Sequence, residues 1–136
     1  MADEAKLLIE TGLPIPFVVT NETAIAKGAV CKMSDGMVAV TADGDADIVA
    51  GIAATEKIAS DGKTRHGIYR VGIFRVKASG SITIGDAVVT AASTGGANQV
   101  STAGASAENL MGTALDTVTT GETLRIELLP RGAENT

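Results

Sequence analysis

The sequence predicts a mostly β protein, a small β-barrel or β-sandwich built from two similar half-units and preceded by an extended arm. Three observations predict it. Asp-Gly and Thr-Gly dipeptides punctuate short Val- and Ile-rich runs, one order of motifs occurs twice, and sustained helical periodicity is missing.

Residues 1–20 precede the repeated motifs and carry Pro14 and Pro16, which favour extended backbone and donate no ladder hydrogen bond. An arm is expected there, with Leu7, Leu8, Ile9, Leu13, Ile15 and Phe17 as its contacts to a neighbouring subunit or partner. The competing reading is an ordinary edge strand of the same chain, which Phe17-Val18-Val19 alone would suit. Residues 21–130 form the β domain. Short strands are expected at Val38–Val40, Ile48–Ala53, Ile82–Ile84 and Ala87–Thr90. Ile68–Lys77 reads as one long strand whose apolar phase slips, with a bulge at Gly72. Ala105–Met111 is the one stretch suited to a helical turn. At Thr123–Leu129 the apolar residues Leu124, Ile126 and Leu128 alternate with polar ones, and Pro130 is expected to end that strand. Residues 131–136 read as a flexible tail.

The repeat is read from two pairs of segments. Ile25–Met33 aligns without gaps to Ile82–Thr90, sharing Ile at the first position and Gly at the fourth, and Ile48-Val49-Ala50-Gly51-Ile52-Ala53 resembles Asn109-Leu110-Met111-Gly112-Thr113-Ala114. A turn glycine follows each, Gly67 or Gly121, and then a strand. The two half-units are expected to close one barrel or sandwich together and so to shorten its exposed edges.

Composition limits the function. Of the residues, 45% are hydrophobic and 20% charged, enough for one folded domain. Tyr69, Phe17 and Phe74 are the only aromatics, so Val, Ile, Leu and Ala build the interior. Small side chains bury little area each, and self-association would offset that deficit. The net charge of −5 argues against nucleic-acid binding, because phosphate contacts need clustered Lys and Arg. Arg65, Arg70, Arg75 and Lys77 are the densest positive stretch and read as solvated strand positions. Cys31 is the single cysteine, which fits synthesis in a reducing cytoplasm. No secretion signal or membrane span is expected.

Catalytic, metal and cofactor chemistry finds little to use, and no enzyme, cofactor or small-molecule substrate is expected. His66, the only histidine, reads as an exposed turn residue beside Gly67. Ser60-Asp61-Gly62-Lys63-Thr64 imitates the end of a phosphate loop, but Lys57 stands where that loop needs its first glycine, so Asp61-Gly62 reads as a turn. Asp43, Asp45 and Asp47 are spaced like the opening of a calcium loop, with Ile48 and Ala54 replacing its required Gly and Glu; an exposed acidic hairpin is the default. Val30-Cys31-Lys32-Met33 is similar to the modified hairpin of biotin- and lipoate-type carrier domains, which makes modification at Lys32 the alternative function. The accompanying Gly85-Asp86-x-Val88 turn follows that lysine instead of preceding it.

Taken in order, Ile25-x-x-Gly28-x-Val30, Ile48 to Ala53, Val71-Gly72-Ile73-x-x-Val76 with Ile82-x-x-Gly85-Asp86-x-Val88, and Met111-Gly112-x-Ala114-Leu115 closing into Leu124-x-Ile126-x-Leu128 span most of the chain. This order resembles the capsid cement, or head decoration, proteins of tailed bacteriophages and related viruses. The resemblance implies a structural virion protein without catalytic residues: a compact β domain made in the host cytoplasm, usually a homotrimer, seated on the outer capsid surface where major capsid protein subunits meet. It assigns no contact residues, so those of the N-terminal stretch rest on the physical argument above.

Overall fold

The computed structural model describes residues 3–93, 95–103 and 109–131, and every regular element in them is a β-strand. The first strand, β1 (Lys6–Ile9), is followed by five that close into a ring: β2 (Ile15–Val18), β3 (Val30–Asp35), β4 (Val38–Thr41), β5 (Val49–Ala53) and β6 (Arg65–Tyr69), in the order β2-β4-β3-β5-β6. Five more repeat the plan: β7 (Gly72–Ala78), β8 (Ala87–Thr90), β9 (Gln99–Thr102), β10 (Leu110–Ala114) and β11 (Thr123–Arg131). Their ring runs β7-β9-β8-β10-β11, with β1 added on the outside of β7. In both rings the first strand meets the third in parallel, β2 with β4 and β7 with β9, and every other pairing is antiparallel.

The repeat read from the sequence holds at the level of single hydrogen bonds. Ile25 exchanges two backbone bonds with Lys57 (2.9 and 2.7 Å), and Ile82 does the same with Val118 (3.0 and 2.9 Å). Gly28 and Gly85 both take positive φ, 84° and 90°, and each donates its N–H across the ring, to Ala53 and Ala114 respectively, at 2.9 Å. Only glycine enters that region without strain, which is why the Ile-x-x-Gly spacing recurs. Gly51 and Gly112 recur for another reason: a Cβ on either would overlap a neighbouring carbonyl oxygen, that of Tyr69 or of Glu127.

The interior follows strand alternation. Phe17, Val19, Ile25, Ala29, Cys31, Ala39, Ala50, Ala53 and Ile68 fill the first ring. Phe74, Val76, Val88, Val100, Met111, Leu124, Ile126 and Leu128 belong to the larger cluster of the second. Val30, Val49 and Ile52, which alternate with the first ring's inward residues, join that second cluster, so one apolar mass runs from ring to ring. β5 is buried at every position because both its faces are covered. Polar clasps reinforce the junction. The Asn98 side-chain oxygen accepts the Val30 N–H at 3.0 Å, and Thr90 Oγ1 accepts the Asp47 N–H at 2.9 Å while donating to the Gly44 carbonyl.

The mostly β reading with two similar half-units is what the structure shows, and several details differ. Each half-unit closes its own ring, where one shared barrel was expected. Ile68–Lys77 is two strands, β6 and β7, and the phase slip marks the passage from one ring to the next: Arg70 and Val71 form the link, and Gly72 opens β7 at φ 138°. Ile82–Ile84 makes a single bridge and a turn in place of a strand. Gly67 is a mid-strand residue of β6. β11 continues through Pro130 to Arg131, because a register shift opposite Leu110 and Gly112 forms an irregularity that tolerates the missing N–H. Most of the expected helical turn, residues 105–108, and the tail residues 132–136 lie outside the described residues, whereas Leu110 and Met111 belong to β10 and Arg131 to β11.

A candidate interaction surface

The expected arm is built into the fold. β1 pairs antiparallel with β7, Lys6 opposite Arg75 and Leu7 opposite Phe74. β2 is the opening strand of the first ring and pairs with β6 from Ile15 opposite Ile68 to Val18 opposite Arg65. Phe17 therefore does not belong to a contact surface. It is 0% exposed, because alternation along β2 turns it into the first ring, where it is a core residue.

The other five candidates lie at the surface. Leu7, Leu8, Ile9, Leu13 and Ile15 are 37%, 36%, 58%, 78% and 38% exposed. All four residues of β1 are exposed, so burial does little to hold this strand. Anchors at its two ends do so instead. Ahead of it, Asp3 accepts from Gln99 Nε2 at 3.2 Å and lies 3.6 Å from Lys77 Nζ, while the Ala5 N–H donates to the Gly28 carbonyl at 2.8 Å. Behind it, the Tyr69 hydroxyl donates to Glu10 at 2.6 Å, a bond that raises the pKa of the phenol. The Tyr69 ring in turn meets Phe74 edge-on, with centroids 5.7 Å apart. The result is an apolar strand held out in a fixed position. Val18 and Met37, at the far end of β2, are also exposed and apolar, joined by a backbone bond from the Val18 N–H to the Met37 carbonyl. Neither was expected: Met37 stands in a hairpin turn at φ 54° beside Asp35-Gly36, a dipeptide that reads only as a turn signal.

The groups with chemical potential are absorbed by structure. His66 is a buried residue of β6, not an exposed turn residue, and its Nε2 donates to the Thr55 carbonyl at 2.8 Å. Lys57 is 1% exposed; its ammonium donates to the Asn21 and Thr23 carbonyls at 2.7 and 3.0 Å and lies 3.3 Å from Asp61. Cys31 faces the first core, where burial pushes its thiol up to about 12. Lys32 sits mid-strand in β3, between Val40 and Val49, with its ammonium 2.6 Å from Asp43. It is not at the tip of a hairpin, so the geometry gives a carrier role no support. Asp45 and Asp47 are engaged too, accepting the Ser93 N–H at 3.2 Å and the Gly44 N–H at 2.9 Å. Among the described residues, no group of three or more His, Cys, Asp or Glu is placed to hold a metal ion.

No curated protein matches the sequence. Among solved structures, the head fiber gp8.5 N base of bacteriophage phi29 shares the fold with a TM-score of 0.55 and 16% sequence identity, the match covering 90% of this chain and 98% of that one. The model of the phage cement protein family matches residues 9–129, from the last residue of β1 through both rings to all but the last two residues of β11. On a match of that extent, the chain belongs to the phage cement proteins, a family of capsid-associated structural proteins.

Proposed function

We propose that this protein decorates the outer surface of a phage capsid, where it bridges major capsid protein subunits and raises the shell's resistance to rupture. The observation that carries the reading is β1: an apolar strand anchored at both ends, with Leu7, Leu8, Ile9 and the following Leu13 left in solvent. Burying such groups against a partner contributes about 25 cal/mol per Å² of apolar surface. Many equivalent sites on one shell multiply a modest contact. The role is architectural and not enzymatic, in keeping with His66, Lys57 and Cys31 all being engaged inside the fold.

The protein acts as a homotrimer in this reading. Two rings with one phenylalanine each in the core form small cores, and association adds buried area that neither ring supplies. Quantitative mass spectrometry of purified virions tests the function. A copy number comparable with the number of capsomers is expected; absence from particles, or a few copies each, would overturn it.

A further inference from the structure

Beside β1 an open cleft of about 450 Å³ lies between the two rings. Its walls include Leu7, Ile52, Tyr69 and Phe74, and Lys6 and Lys27 line it as well. The volume falls within the range of ligand-binding clefts. Both lysines are exposed, and neither has a carboxylate partner among the described residues, although the chain as a whole carries a charge of −5. Two lysines without a carboxylate partner in the lining of one cleft favour an anion there.

One further feature points to a polypeptide. β1 supplies one wall and is paired along only one of its edges, to β7. A free strand edge, an apolar floor and two cations are all satisfied by one kind of molecule: an extended chain whose backbone pairs with the edge, and whose side chains alternate between apolar and acidic. β2 suits such a chain less well, because it is paired to β6 on one side and meets β4 at Val18 on the other. Pro16 falls in phase with Val18, whose N–H turns toward Met37 and away from β6, so the rest of that second side lacks a donor.

We propose that this cleft is the docking groove for an extended segment of a partner protein, acidic and apolar in alternation, which adds beside β1. This deepens the capsid-binding reading by naming the chemistry of the partner's contact. The test uses no capsids, so failure here and failure of that reading are told apart.

Amide chemical shifts of the isotope-labelled protein are followed during titration with acetyl-Glu-Val-Glu-Val-Glu-Val-amide, with its lysine counterpart, and with anilinonaphthalene sulfonate as a small apolar anion. Saturable shifts confined to Ala5–Leu7, Lys27–Gly28 and Ala53–Ala54 are expected with the acidic peptide and not with the basic one. Lys6→Glu with Lys27→Glu is expected to weaken binding about tenfold, and Lys27→Gln alone about threefold, with the melting temperature unchanged. The conservative single variant keeps the test decisive if the double variant misfolds. No saturable shift, equal binding of the basic peptide, unchanged affinity in the lysine variants, or binding of the small anion alone would each overturn the proposal.

Discussion

Phe17 and Phe74 are the same residue of two successive barrels. They are 0% and 1% exposed, stand on the opening strands β2 and β7, and are separated in sequence as Ile25 is from Ile82 and Gly28 from Gly85. Each is the one phenylalanine of its core. Phe17→Ala and Phe74→Ala are therefore each expected to destabilise by about 3–5 kcal/mol, the range for deleting a buried ring. Urea unfolding measures it. A loss near 1 kcal/mol for Phe17→Ala would return β2 to the status of a loosely attached arm.

Lys57 occupies the position that Val118 holds in the second barrel, since each exchanges backbone bonds with the corresponding isoleucine. A lysine is tolerated in the first because its ammonium meets the Asn21 and Thr23 carbonyls and Asp61. Lys57→Val restores the apolar residue of the repeat but removes the donor from those acceptors. The expected cost is about 3 kcal/mol, the scale for breaking a buried charge cluster. A variant as stable as the parent in urea would show that water replaces the ammonium without loss.

The Asp116 and Arg125 side chains form a two-pronged pair, at 2.8 and 2.6 Å, and the Arg125 N–H adds a third bond to the same carboxylate at 2.9 Å. Bonding to the guanidinium, first, and to that N–H hold the Asp116 carboxyl well below the usual carboxylate range. A folded-state pKa lowered in this way gives stability that is fully present above the unfolded value, about 4, and is lost as pH falls toward the folded one. Asp116→Asn should lower the melting temperature at pH 7, and its difference from the parent should shrink below about pH 4. Thermal melts at a series of pH values decide this; a difference independent of pH would contradict it.

If the protein is a homotrimer, dissociation accompanies unfolding and the melting temperature depends on concentration. Dilution by a factor of about one hundred should lower it measurably, and light scattering at the higher concentration should report three times the chain mass. A monomeric mass with a constant melting temperature would remove the trimer.

Alternation made β11 legible, and glycine geometry made the repeat legible, because Gly28 and Gly85, like Gly51 and Gly112, answer to backbone constraints that leave no other residue. The start of the repeat was harder to see. Phe17-x-Val19 matches Phe74-x-Val76 at the same separation as Ile25 and Ile82, yet Pro14 and Pro16 weighed toward an arm. A proline excludes only the hydrogen-bonding side it faces, and Pro16 faces away from β6, toward the side where β2 meets β4 at Val18 alone. β9 escaped notice because Gln99-Val100-Ser101-Thr102 has a single apolar residue, and its pairing to β7 is supplied by closure of the ring. His66 was misread because Gly67 beside it suggested a turn, whereas that glycine lies within β6 against Pro14. Of the candidate surface, Leu7 to Ile15 was legible as too much apolar material for an idle segment; which of those residues face solvent needed the fold.

The role of that surface is tested most directly by co-sedimentation with capsids purified from a phage lacking the protein. The parent protein is compared with a variant carrying Ile9→Asp and Leu13→Asp. Both side chains are more than half exposed, at 58% and 78%, and β1 lies outside the closed rings, so the variant should keep the parent's melting temperature. The account expects the parent to pellet with capsids at a fixed, saturable ratio and the folded variant to remain in the supernatant. A folded variant that pellets at the parent's ratio would contradict it.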